Sequence, residues 1–419
     1  MPADNTFQPS KSSSPLGKLE GADSSPSGKL DGDLGFGIYI HIPFCKQACH
    51  YCDFHFSTSL KKKHALVEAL KDELILRKHE LGNIPVRSIY FGGGTPSLLP
   101  VDDLKSLIDT VFQNYRVIEH PEITLEANPD DLIRAKGTNG ESSIYELYKS
   151  IGINRLSIGI QSFHEHDLKL MNRAHDQEEA KSCLEEAVQH FDDISVDLIY
   201  GIQGLSNEKW LENIDMALSF GITHISSYAL TVEPQTALAS FIEKGIIDDV
   251  DDAQAEEQFS MLMDRLAQNG FIHYEISNFG KQGYFSQNNS AYWQGKPYLG
   301  IGPSAHSFDG KKRSWNVRNN SKYIEAIEKR VLPSEEEILT TTDAYNEYVM
   351  TGLRTIWGVD LEVVNRRFGP AYKDHLLKQS QPYIKRQLLY LDEHLLTTTA
   401  KGKFLCDGIA SDLFKIKLA

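Results

Sequence analysis

The chain has 419 residues, 41% of them hydrophobic and 10% aromatic, which is enough for a large buried core and excludes a wholly disordered protein. Its 43 Lys and Arg against 58 Asp and Glu leave a net charge of −15, which argues against the basic face of a dedicated nucleic-acid binder. No apolar run approaches the ~20 residues a membrane helix needs, so no integral membrane segment is expected.

Residues 1–34 are rich in Ser, Pro, Gly, Lys and Asp and hold an imperfect repeat, GKLEG then GKLDG. Such a segment cannot bury enough apolar area to offset its chain entropy, and it reads as a disordered tail. It has neither the apolar stretch of a secretory signal nor the Arg-rich, acid-poor make-up of a transit peptide, so the expected location is cytoplasmic. GIYIHI (37–42) then reads as a short apolar strand. A helical stretch follows, with Ala65, Leu66, Ala69, Leu70, Leu74 and Leu81 on one side. VRSIYFGG (86–93) reads as a buried strand ending in glycines, followed by a helix over 101–115. EITLEANP (122–129), INRLSIGIQS (153–162), ISVDLIYGI (194–202) and ITHISSYAL (222–230) are further strands, with helices near 176–190 and 206–220. Strands that alternate with helices predict an α/β fold, here a (β/α)6-type part-barrel.

Beyond residue 230 the alternation fades. Helices are expected at 253–270, 321–331 and 341–355, whereas 271–318 is aromatic, Gly-, Ser- and Asn-rich with little periodicity. Residues 360–419 read as short helices followed by a hairpin at 395–406, a small winged-helix-like module. The expected organisation is a core over 35–270, a connecting region over 271–340 and an accessory domain over 341–419.

Three of the five cysteines fall within eight residues, Cys45, Cys49 and Cys52, directly after the first strand. Clustered cysteines of odd number suit a metal centre better than disulfides. Three thiolates are one short of the four that fill a [4Fe–4S] cluster, and an open iron can take a non-protein ligand. Zinc is the alternative, with His50 or His55 completing a Cys3His site.

The CxxxCxxC spacing after a first barrel strand resembles the radical S-adenosylmethionine (SAM) family. YIHIPFC before the cluster and YCDF at its end resemble the oxygen-independent coproporphyrinogen III oxidase-like branch, and within it the heme-chaperone subfamily. The resemblance covers residues 37–419. It implies a [4Fe–4S] cluster on Cys45, Cys49 and Cys52, with SAM on its open iron. It further implies that Gly92-Gly93-Gly94-Thr95-Pro96 holds the methionine end of SAM. Polar residues at strand ends, Glu126, Gln161 and Asp197, are costly in an apolar core and suited to hydrogen-bonding a ligand at a barrel mouth. By the same resemblance Tyr39, Tyr51, Gly93, Gly94 and Thr95 line the cofactor, and Arg173 contacts a carboxylate.

Three positions depart from the branch. Phe54 stands where coproporphyrinogen decarboxylases carry a further cysteine, which weighs against that activity. Gln203 stands where the branch usually has Pro. Asn288 takes the place of the histidine in an H-N-x-x-Y-W heme segment, and a neutral amide is a poor iron ligand. Tyr292 and Trp293 retain the aromatic faces that can stack on a porphyrin. His306 is the substitute ligand candidate. No group is assigned a catalytic role. The expected function is a heme chaperone with a heme-acceptor protein and an electron donor that the sequence does not identify, as a monomer or homodimer. The alternatives are a radical SAM decarboxylase and a zinc-dependent binding module.

Overall fold

A computed structural model describes residues 35–134 and 142–416, so the expected disordered tail at 1–34 lies outside the described residues. Six strands form the core: β1 (Phe36–Ile42), β2 (Val86–Gly93), β3 (Val117–Ala127), β4 (Arg155–Gln161), β5 (Ile194–Tyr200) and β6 (His224–Ala229). They neighbour one another in sequence order and every pair is parallel. Parallel neighbours need crossovers, and helices lie in all five: Lys63–Arg77, Val101–Asn114, Pro129–Arg134 with Ile144–Ser150, Gln177–His190 and Asn207–Ser219.

Alternation along each strand decides the two faces. Ile38, Ile40 and Ile42 of β1 are fully buried in one core with Leu66, Leu70 and Leu74 of the first helix. Tyr39 and His41 point the other way, to the inside. The register continues this inner face through Tyr90, Glu126, Ser157, Asp197 and Ser226. A part-barrel with an apolar outside and a polar inside leaves its interior for a ligand instead of a packed core.

The segment read as a connecting region completes the sheet instead. β7 (Ile272–Glu275) and β8 (Asn278–Gly280) extend it beyond β6. β9 (Tyr298–Ile301) pairs parallel with β1, and β10 (His306–Phe308), β11 (Lys312–Asn316) and β12 (Ser334–Ile338) follow antiparallel. The whole is a 12-stranded sheet edged by β12 and β7, with no pairing of β6 to β1 among the described residues. These added strands span only three to five residues, too few for a period of two to register.

A buried network seats β9 on the first helix. Glu73 accepts from Arg77, Asn316, Tyr323 and the backbone N–H of Gly302, while Arg77 donates to Gly300 O at 2.8 Å. The C-terminal module has its own core of Tyr345, Val349, Leu353, Val364, Leu376 and Leu396. Its helices Thr341–Leu353, Leu361–Phe368 and Pro370–Lys385 surround a three-stranded sheet of β13 (Val359–Asp360), β14 (Leu389–Asp392) and β15 (Leu395–Thr398), in winged-helix-like order. The hairpin is β14–β15, not 395–406. Glu393, at φ 49°, makes its turn, and 400–403 is helical, capped by Thr399.

Candidate functional site

The cysteine loop leaves β1 and is pinched at its base. Cys45 N donates to Ser57 O at 3.1 Å, and Ser57 N to Pro43 O at 2.9 Å. Side chains tie it down further along. Lys46 pairs with Asp130 at 2.6 Å and with Asp131, Gln47 donates to Asn172 O at 2.8 Å, and Asn172 donates back to Ala48 O at 2.7 Å. Cys45, Cys49 and Cys52 are all partly exposed free thiols, whereas Cys183 and Cys406 are buried elsewhere.

Arg173 is no surface helix residue. It donates to Cys49 Sγ at 3.4 Å, to Asn128 Oδ1 at 2.6 Å and to Gly159 O at 2.7 Å. Its partner at the loop is thus a thiol. Burial pushes the Cys52 thiol up to about 11 and raises that of Cys45, against which a hydrogen bond from Thr95 works. A coordinating metal reverses such shifts outright, because its charge favours the thiolate.

The Cys3His zinc arrangement is not formed. Among the described residues no three His, Cys, Asp or Glu side chains converge on a single-ion site. His50 Nδ1 lies 2.8 Å from Leu170 O, and His55 Nε2 lies 2.7 Å from Asn320 Oδ1.

The glycine run lies against this loop. Gly94 N donates to Ile42 O at 2.9 Å and Thr95 N to Phe44 O at 2.7 Å. Gly93 has φ 111°, and a β-carbon there would meet the His41 ring at 2.5 Å; one on Gly94 would meet Phe44 O at 2.6 Å. Packing alone therefore demands glycine, and the same bareness leaves backbone open to a ligand.

Glu126 accepts from Tyr90 Oη at 2.8 Å and from Gly93 N at 3.1 Å. Burial first, and the neighbouring Asp197 charge, lift its carboxyl to about 7. Asp197 accepts from Ser157 at 3.2 Å, and burial lifts it to about 6. Tyr39 stacks on Tyr90 at 5.9 Å and donates to His41 Nδ1 at 3.2 Å. Tyr51 packs against the barrel core beside the loop. Gln161 ends β4 at φ 67°, a conformation costly for a side-chain-bearing residue and most often kept at working sites. Asn128, which sequence reasoning missed, joins Thr95 (3.2 Å) to Arg173. Its only signal was its place one residue past the end of β3.

Asn288, Tyr292 and Trp293 lie at the other end. Asn288 sits on the Gln287–Trp293 helix, and a β-carbon on Gly37 would come 3.1 Å from its Oδ1. Glu122, near the start of the inner face of β3, accepts from Gln287 N at 2.8 Å and Asn288 N at 3.1 Å. This helix therefore closes the floor of the barrel, across from the cysteines. Tyr292 is 51% exposed, while Trp293 lies under Arg354 at 5.0 Å. From Tyr292 an aromatic strip runs to Tyr298 (5.2 Å) and Phe308 (6.3 Å). His306, two residues along the same face of β10 and open to solvent, pairs with Trp315 at 6.1 Å.

Parallel strands that open onto a three-cysteine loop and a glycine cradle define a radical SAM protein. Residues 39–222 match the Radical SAM superfamily and 339–405 the HemN C-terminal domain. The fold is similar to that of the coproporphyrinogen III oxidase HemN from Escherichia coli, with TM-score 0.76 and 22% identity over 91% of each chain. The heme chaperone HemW of Bacillus subtilis is 32% identical over 371 residues, 88% of this chain and 96% of that protein. HemW of Mycobacterium tuberculosis (strain CDC 1551 / Oshkosh) is 32% identical over 387 residues, 90% and 94% of the two chains. The mitochondrial radical S-adenosyl methionine domain-containing protein 1 of Bos taurus is 33% identical over 67% of this chain and 62% of its own. The chain belongs to the HemW family of radical SAM proteins.

Proposed function

We propose that this protein is a heme chaperone that holds a [4Fe–4S] cluster on Cys45, Cys49 and Cys52, binds SAM at the strand ends and carries heme for delivery to an acceptor protein. The observation that supports it most is similarity to HemW chaperones along almost the whole chain, beside a three-cysteine loop that Arg173 contacts. The fold likeness to HemN does not carry decarboxylation with it. Phe54, where decarboxylases have a cysteine, is 67% exposed and offers no ligand.

When bound, the cluster and SAM supply one-electron chemistry that belongs to the cofactors. The protein's part is placement. Arg173 puts a fixed cation beside the thiolate of Cys49. Gly93 and Gly94 expose backbone to the methionine group. Glu126, Gln161 and Asp197 offer acceptors to the ribose and adenine, and Tyr39 and Tyr51 keep water from the centre. Tyr292, Tyr298 and Phe308 would offer their rings to a porphyrin face, and His306 would offer its imidazole to the iron. A reducing compartment such as the cytoplasm keeps the three thiols free for the cluster.

Anaerobic reconstitution tests this on one sample: iron and sulfide content, SAM titration, heme titration, then heme transfer to an apo-hemoprotein. Cluster, SAM and heme each bound, with heme passed on, is the expected result. Stoichiometric zinc in place of iron, or conversion of coproporphyrinogen III, would overturn it.

A further inference from the structure

A line of buried hydrogen bonds descends the inside of the barrel from Asp197 to the floor. Ser226 stands opposite Asp197 in the β5–β6 register, its hydroxyl placed to stabilise that carboxylate, and its Oγ lies 3.0 Å from Ser195 Oγ. Ser195 Oγ is 2.7 Å from His224 Nδ1, and His224 Nε2 is 2.7 Å from Tyr274 Oη. Tyr274 bonds the backbone of Ser286, and its ring stacks on Phe285 at 4.4 Å. Ser286 is the N-cap of the Gln287–Trp293 helix, its Oγ accepting from Asn289 N at 3.3 Å. Ser195, His224 and Tyr274 have no exposed surface, and Ser226 has 4%.

Apolar residues fill an interior at less cost than polar ones, so a polar line of this length needs a reason. It has one built-in choice. Ser226 carries a single hydroxyl proton and faces two acceptors, Asp197 and, at 2.8 Å, Asn278 Oδ1. A ligand hydroxyl that bonds Asp197 competes with Ser226 for that carboxylate and leaves the Ser226 proton wholly to Asn278. The hydrogen bonds below must then re-form with it, down to the helix that bears Tyr292.

We propose that Ser226, Ser195, His224 and Tyr274 couple the two ends of the barrel, so that SAM at Asp197 changes heme affinity at the floor helix and heme changes SAM affinity equally. The coupling rests on the reading given above, in which SAM meets Asp197 and heme meets Tyr292. These four act as positioning residues; none touches either ligand. Coupling between binding sites is reciprocal, which gives the proposal two independent readings.

The test uses the full chain with its cluster reconstituted. Heme is titrated with and without saturating SAM, and SAM with and without heme, in the parent, in Tyr274→Phe and in Ser195→Ala. In the parent each ligand should shift the other's Kd by about fivefold or more, and by the same factor in both directions. In both variants that factor should fall to near one, while each ligand alone keeps its parental affinity within about twofold. A parent whose ligands ignore each other, or variants that keep the parental factor, would overturn the coupling. A parent that binds no heme at all would strike the chaperone reading instead. Thermal melting checks that both variants fold, and Ser195→Ala decides if Tyr274→Phe does not.

Discussion

The guanidinium of Arg173 lies 3.4 Å from the thiol of Cys49 and at the same time bonds Asn128 and Gly159. A cation held by the barrel wall thus stands at the rim of the cluster loop. Anionic clusters reduce more easily beside positive charge. In Arg173→Gln the cluster should still form but its midpoint potential should drop, by ~40 mV for each ~1 kcal/mol of lost charge stabilisation in a one-electron couple. Redox titration followed by electron paramagnetic resonance measures this. An unchanged potential in a correctly loaded variant would separate Arg173 from the cluster.

Cluster retention should follow the loop. Alanine at Cys45, Cys49 or Cys52 should abolish stoichiometric iron and sulfide. Alanine at Cys183 or Cys406, both buried away from the loop, should keep it. Equal loss at Cys183 would mean that the ligand set is misassigned.

Gly93 answers to packing before it answers to a ligand. Its φ of 111° and the 2.5 Å approach of the His41 ring make any side chain strained there. Gly93→Ala should therefore lose about 1–3 kcal/mol of stability with no SAM present. Chemical denaturation of the ligand-free protein reads it out. Parental stability combined with lost SAM binding would show that the glycine serves the ligand alone.

The raised carboxyls set a pH dependence. Glu126, at about 7 in the fold against 4.5 in the open chain, binds more protons when folded over that interval. Its contribution to stability is thus complete in acid, below the unfolded value, and is lost as the pH rises through 7. Asp197, lifted to about 6, acts in the same direction. Glu126→Gln should flatten the fall in stability between pH 5 and pH 8. SAM affinity should run the other way, rising with pH, because only the ionised carboxylates accept from ribose without giving up a bond. A SAM affinity insensitive to pH in the parent would remove Glu126 and Asp197 from the site.

For heme, the axial ligand is the question. Asn288→Ala should leave heme affinity and spectrum almost unchanged. His306→Ala should change the Soret band and weaken binding by tenfold or more, since ~1.4 kcal/mol already gives that factor. Asn288→His should not tighten binding, because Oδ1 of Asn288 already abuts Gly37 and leaves little room for a ring. Collapse of heme binding in Asn288→Ala would show that this side chain itself helps to hold heme.

The barrel was legible because its strands repeat. VRSIYFGG was read to the residue as β2, and Ile38, Ile40 and Ile42 announced which face of β1 is covered. Cys45, Cys49 and Cys52 were legible because their spacing alone confines them to one loop. Arg173 was legible only through family resemblance; its contact with Cys49 depends on a fold that brings residues 124 positions apart together. Asn128 carried no pattern. The strands after residue 270 were missed because three- to five-residue strands show no period, and the joins that bring them into the sheet, β9 to β1 and β8 to β6, link segments far apart in sequence. The hairpin was placed too late because Leu395–Thr398 is its second strand, not its first.

The pairing of β1 with β9 has a consequence for the order in which the protein is made. Gly37 bonds across to the strand of Tyr298, roughly 260 residues later, and His55 is held by Asn320 later still. Contacts of such long range close late and slowly. As the chain emerges from the ribosome, one flank of β1, the strand that leads into the cysteine loop, stays bare until residues 298–301 have been synthesised. A cluster inserted during translation would meet a loop open on that side, and one inserted afterwards would meet a loop already walled in. Pulse-labelled chains stalled before and after residue 298 would tell which of these the maturation machinery encounters.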